Sequence, residues 1–220
     1  MLQALLDSIP VALGIATYGV VFGALARQAG LTLLDSLGMS ALVFSGSAQF
    51  VALPLLRAGV GPAELFVTAL LVSLRHLVMG LSLGPRVRGL AFGHRLVLAF
   101  GLNDEAYGLT TWHASRHGFN PAYMRGAGLA TFLAWTTGTA AGAAFGAILP
   151  DPARWGLDFA FTAVFIALLV PQVKGKAGLA AAVAGGLTAV LSAPLLGGGG
   201  QVLAGALAAA AVGGILDREP

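Results

Sequence analysis

Apolar runs long enough to cross a bilayer recur along nearly the whole of this chain. Counted in stretches of about 17–25 residues, the length that spans hydrocarbon as helix, they cover 9–26, 37–56, 65–84, 96–112, 126–149, 157–172, 177–196 and 200–216. Breaks fall at RQAG (27–30), RAGVGP (57–62), GPRVRG (84–89), HASRHGFNP (113–121), PDPAR (150–154), VKGK (173–176) and GGGG (197–200). Backbone inside hydrocarbon must satisfy its own hydrogen bonds, and runs of this length do so as helices. Charged residues make up 10% of the 220, and hydrophobic ones 57%. A soluble domain carries about 25% charged residues, so the charge present here could not cover a soluble core. The expected fold is an all-α polytopic membrane protein of about 7–8 hydrophobic segments. No linker is long enough to separate two domains.

The net charge of +3 and sequence pI of 9.8 do not point to nucleic acid. The basic residues sit mostly in short connections, as Arg86, Arg88 and Arg95 or Lys174 and Lys176 do, which is the usual pattern at membrane ends. The absence of cysteine removes disulfides, thiolate metal sites and thiol catalysis. MLQALLDSIP at the start lacks a basic n-region and a cleavage motif, so the first segment is expected to be retained. Lys and Arg are spread too evenly between alternate connections to orient the chain.

Several segments resemble one another. TYGVVFGAL (17–25) is similar to AYGLTTWHA (106–114), and SGS (45–47) to TGT (137–139). Glu64, Thr68 and Ala69 match Asp158, Thr162 and Ala163 at a constant separation. These matches suggest a repeat, one copy at about 9–85 and the other at about 96–172, followed by a helix pair at about 177–216. Three segments per copy would invert the second against the first, as in many secondary transporters. Chance similarity in a chain rich in Ala, Gly and Leu competes with that reading.

The polar residues inside the segments carry the functional expectation. LLVSLRHLVMGLSL (70–83) sets Arg75 and His76 side by side in an apolar run. At 100° per residue, Glu64, Thr68, Arg75 and Ser82 share a stripe about 40° wide, and Ser73, His76 and Gly80 fall on another sector. A charge at mid-helix costs about 2.5–3.5 kcal/mol on insertion scales, so Arg75 needs a partner or a hydrated cavity. AFGLNDEAYG (99–108) supplies Asn103, Asp104 and Glu105 at comparable depth. An Arg75 pair with either acid is a helix-to-helix structural bridge or part of a gate. Two acids facing one Arg leave a titratable carboxylate over, and His76 is suited to relay a proton. A satisfied helix-to-helix hydrogen bond is the plainer role for His76.

The second segment, LGMSALVFSGSAQFVALPLL (37–56), reads as a broken or re-entrant helix. Ser45, Gly46 and Ser47 are poor helix formers, Gln49 is polar and Pro54 removes a backbone donor. A half-helix N-terminus at that point offers N–H groups to a carboxylate, and unwound carbonyls can receive an ammonium group. Close packing through small residues is the bland alternative, and the better reading for Thr137, Gly138 and Thr139. Asp158, at the start of the sixth segment, either faces the pathway or caps its helix.

FSGSAQF (44–50), SLRHLVMG (73–80), LNDEAYG (102–108) and LDFAFTAVFIALL (157–169) resemble the signature segments of the AzlC family, in the same order. That resemblance covers about residues 9–172 and implies the large subunit of a bacterial branched-chain amino acid exporter. It implies export of valine, leucine and isoleucine, with resistance to analogues such as azaleucine. It also implies a small hydrophobic partner of the AzlD type, residence in the bacterial cytoplasmic membrane and no cofactor. Arg75 or the broken-helix termini would take the substrate carboxylate, and Asp104 or Glu105 the ammonium. Phe44, Phe50 or the face of Phe159, Phe161 and Phe165 would take the side chain.

Other classes fit less of the sequence. A non-transporting subunit or passive channel shares the hydrophobic pattern and lacks only the inverted repeat. An intramembrane hydrolase would use Ser47 with His76, but SGSAQ is no nucleophile elbow. His113 and His117 share a helix face without an HExxH motif, so a zinc enzyme is not expected.

Overall fold

A computed structural model describes residues 1–148, 163, 166, 169, 170 and 173–216 of the chain. Helices α1 (Leu2–Gln28), α2 (Leu33–Leu42), α3 (Gly46–Arg57), α4 (Pro62–Val87), α5 (Phe92–Phe100), α6 (Asp104–His117) and α7 (Pro121–Ile148) follow in order. A helical run from Gly175 to Leu216 closes the chain. The sixth predicted segment, 157–172 with Asp158, lies outside the described residues except at 163, 166, 169 and 170. α1, α4 and the stretch Gly175–Leu196 are long and apolar enough to cross a membrane. The expected polytopic helical architecture is the observed one.

The chain forms two compact units, one of Met1–Phe50 with Leu70–Pro150, the other of Val51–Ala69 with Asp151–Pro220. In the second, the C-terminal run is two arms, α8 (Gly175–Leu196) and α9 (Gly200–Leu216). A straight helix of 42 residues would be about 63 Å long. Instead a Cβ on Gly185 would meet the Gly205 carbonyl at 3.0 Å, and one on Gly213 would meet Ala181 at 3.5 Å. Such pairing requires antiparallel arms. The sequence segments 177–196 and 200–216 match them.

The first unit is built on α1 and α7, which run parallel and in backbone contact. Gly126 sits against Ala4, Gly138 against Ala16, Gly142 against Val20 and Gly146 against Ala24, all at one constant sequence separation. A Cβ on Gly138 or Gly142 would run into the carbonyl oxygen of the α1 residue opposite. Small residues every fourth position are how membrane helices approach closely, because lipid offers no hydrophobic drive to pair them. α7 is matched to α1 along its length. TGT (137–139) thus serves packing.

The break expected in the second segment is present, a second break falls within the fourth, and both reverse the chain. α2 starts on a capping box, Thr32 with Asp35, and runs toward the middle of α7. It stops before Phe44, whose φ of 42° is a left-handed conformation rare for a bulky residue. Beyond it α3 turns back. Ser40 and Gln49 lie nine residues apart, about 13 Å along a continuous helix, yet the Gln49 amide donates to Ser40 Oγ at 3.0 Å. The Trp135 indole N–H of α7 donates to both, at 3.1 Å to Ser40 Oγ and 3.0 Å to Gln49 Oε1. Ser40 also bonds Thr139 at 2.9 Å.

The second reversal is at Gly101–Asn103. Leu98 of α5 joins Met79, Leu83, Leu102 and Met124 in a buried cluster, and Tyr107 of α6 packs on the same cluster. Asn103 reaches Thr131 at 2.9 Å, whereas His113 stacks on Tyr123 with ring centroids 3.8 Å apart. So α5 rises from the N-terminal end of α7 to its middle, and α6 descends again. α2 and α3 enter from the opposite end. A long helix followed by a half-helix pair therefore occurs twice in opposite senses, as α1 with α2–α3 and as α4 with α5–α6. The sequence matches pair elements differently, setting the break at Ser45–Ser47 against the unbroken middle of α7.

Trp135→Phe tests the network that holds the first reversal. The substitution keeps a ring against Phe22, whose centroid lies 5.6 Å away. It leaves the fully buried Gln49 with its Oε1 lacking a donor, a loss of about 1–3 kcal/mol. The expected result is a lower melting temperature in detergent with Phe at 135, and a larger drop for Gln49→Leu, which also strips the Ser40 contact.

Candidate functional site

The tips of the two half-helix pairs meet beside the middle of α7. Phe44, Phe100 and Phe132 form an aromatic triangle there, with centroids 5.8 Å (Phe44–Phe100), 5.1 Å (Phe44–Phe132) and 5.7 Å (Phe100–Phe132) apart. Next to it, the N-terminus of α3 and the N-terminus of α6 converge on one side chain of α4. Arg75 Nη2 donates to Ser47 Oγ at 2.7 Å and pairs with Asp104 Oδ2 at 2.8 Å. One guanidinium thus ties both tips together. Arg75 and Asp104 are 36% and 45% exposed, so the pair lines an open space and is not sealed in the core.

The stripe read from the sequence accounts for this geometry. Arg75 meets Asp104, and one heptad later Ser82 meets Tyr107, hydroxyl to hydroxyl at 3.0 Å. The same stripe of α4 thus meets α6 at two points. Glu105 lies within Coulombic range of Arg75, His76 and Asp104. His76 Nδ1 is 3.1 Å from the Ser73 carbonyl oxygen, which places its proton on that nitrogen.

The N-termini of α3 and α6 differ. Asn103 caps α6, taking the Ala106 N–H on Oδ1 at 2.7 Å, and Asp104 and Glu105 occupy its first turn. At α3 the Ser45 carbonyl accepts the first helical bond from Gln49 at 2.9 Å. The Ser45 hydroxyl is buried and unpartnered, as is Arg75 Nε.

Among the sequence candidates, Ser45, Gly46, Ser47, Arg75, His76, Asn103, Asp104 and Glu105 gather at or next to the tips. Gln49 does not open onto that space, since both ends of its amide are engaged by Ser40 and Trp135. Asp158 lies outside the described residues. Phe50 packs edge-on to Phe22 and Trp135 in the core, which leaves Phe44 as the aromatic at the tips. Phe100 and Phe132 carry no sequence signal that separates them from lipid-facing phenylalanines. Ser47 is committed to Arg75 and His76 to the Ser73 carbonyl, so no Ser–His pair forms. His113 and His117 stack at 4.8 Å, and no group of three metal-ligating side chains exists among the described residues.

Two half-helix pairs inserted in opposite senses, meeting at a charged pair among apolar helices, define a polytopic membrane protein with a polar site between the half-helix tips. The family model described as AzlC protein matches residues 10–149, and the chain belongs to the AzlC family. A Bacillus subtilis protein named branched-chain amino acid transport protein AzlC is 31% identical over 97% of this chain and 83% of its own length. An Archaeoglobus fulgidus protein described as an uncharacterized membrane protein is 31% identical over 86% of this chain and 82% of its own. The Escherichia coli inner membrane protein YgaZ is 29% identical over 84% and 78%. No solved structure is significantly similar.

Proposed function

We propose that this protein exports branched-chain amino acids across a bacterial inner membrane, as the large subunit of a two-component, proton-coupled secondary transporter. The observation that carries the reading is the Arg75–Asp104 pair bridging two oppositely inserted half-helix tips. A charged pair at that depth is expensive beside hydrocarbon, and its exposure calls for water, substrate or a second protein on that face. A small hydrophobic membrane subunit of the AzlD type is the partner we assign to it. Half-helices inserted from opposite ends also suit alternating access, because each closes one side of a central site. Glu105, near both Arg75 and His76, is the carboxylate left over for a coupled proton. The name of the Bacillus subtilis relative supports the substrate class.

Cells lacking their own exporters, fed branched-chain dipeptides, should show lower intracellular valine and leucine when this chain is expressed with an AzlD-type small membrane protein. Unchanged efflux with both proteins in the membrane would reject these substrates.

A further inference from the structure

The two half-helix N-termini at Arg75 are chemically unequal, and the inequality orients a cargo. The α6 end is closed: Asn103 caps it, and Asn103 Nδ2 is spent on Thr131 at 2.9 Å. Its first turn carries Asp104 and Glu105, which repel a carboxylate and attract an ammonium. The α3 end is open. Ser45 holds the cap position, where a serine hydroxyl ordinarily accepts an N–H of the first turn. Its Oγ has no partner, although the residue is only 6% exposed. Arg75, which bonds Ser47 in the first turn of the same helix, has an Nε that is buried and unpartnered too. Native interiors leave few such groups unsatisfied, and these two flank a 12-residue helix end whose dipole favours an anion.

We propose that the open N-terminus of α3 seats the carboxylate of the transported amino acid, with Ser45 Oγ and Arg75 Nε as donors. The ammonium then faces Asp104 and Glu105. The aliphatic side chain lies toward Phe44, which directly precedes Ser45, and so toward Phe100 and Phe132. The inference rests on the reading that the cargo is a branched-chain amino acid, and it adds which end of the cargo each helix recognises.

Equilibrium binding of labelled L-valine to the protein purified together with its AzlD-type partner, with valinamide and isovalerate as competitors, tests the arrangement. Valinamide lacks the carboxylate charge and isovalerate lacks the ammonium, so both should compete poorly in the wild type. Ser45→Ala should weaken valine binding on the order of 10- to 100-fold, the range for a hydrogen bond to a charged group. It should also shrink the preference for valine over valinamide. The same variant should melt no lower than wild type without ligand, because its hydroxyl has no bond to lose. Equal valine affinity and an unchanged preference over valinamide in Ser45→Ala would overturn the site while leaving the cargo class standing. A wild-type protein that binds none of valine, leucine and isoleucine would overturn the cargo class, and this seat with it.

Discussion

Arg75→Ala is expected to abolish transport while the protein still inserts and folds. Its guanidinium is the single group that bonds both half-helix tips, through Ser47 and Asp104. Each charge-assisted bond is worth about 1.5–3 kcal/mol, and the half-exposed setting argues for the lower part of that range. Losing both still corresponds to about a 100-fold fall in transport rate. Asp104 is then left without its counter-charge, and Glu105 without the cation nearby. Arg75→Lys should recover transport only in part: one nitrogen, Nη2, bonds both acceptors, so an ammonium can replace those contacts, but it supplies no Nε–H. Exchanging the charges, Arg75→Asp with Asp104→Arg, should restore yield and melting temperature more than transport, since the bond to Ser47 is not rebuilt. Efflux measured at matched membrane levels separates these outcomes. Full activity in Arg75→Ala would reduce the pair to a structural bridge or less.

The sequence made the apolar segments, the break in the second and the Arg75 partnership legible for one reason. Lipid punishes each polar residue, so those that remain mark places where protein or water answers them. Asp104 was one of two neighbouring acids on offer, and only backbone geometry chose it over Glu105. Re-entrance was legible in the second segment only as an alternative to a broken span, and not in the run 92–117. Residues 37–56 and 92–117 are as long as a span, and whether such a run continues or doubles back depends on tertiary bonds. Here those bonds are Ser40, Gln49 and Trp135 at one tip, and Asn103 with Thr131 at the other. Gln49 shows the limit well: a polar residue beside a break serves a pathway or a scaffold with the same atoms. The aromatic triangle was hidden for the opposite reason, because phenylalanine is at home in lipid and at a tip alike. The fold-back of α8 onto α9, by contrast, was announced by four glycines in a row.

Gly142→Val is expected to destroy the fold. α1 and α7 meet at backbone distance, and the Val20 carbonyl oxygen occupies the space that any Cβ at 142 would need. Neither side can yield cheaply, since both atoms belong to helical backbone and not to flexible side chains. Even Gly142→Ala must push the helices apart, and overpacking of that kind costs about 1–3 kcal/mol. Separation would spread along the interface, because Gly138 and Gly146 keep the same register against Ala16 and Ala24. Valine adds two methyl groups at the tightest point and should leave no monodisperse protein after extraction. Gly14 of α1 provides the control, having no atom within 4 Å of its would-be Cβ. There alanine should be neutral or stabilising by about 0.5–1 kcal/mol through helix propensity alone. Size-exclusion profiles and melting curves of Gly14→Ala, Gly142→Ala and Gly142→Val would order the three variants. A Gly142→Val protein as stable as wild type would mean that α1 and α7 do not pack as parallel neighbours, and the levels assigned to both half-helix tips would fall with that arrangement.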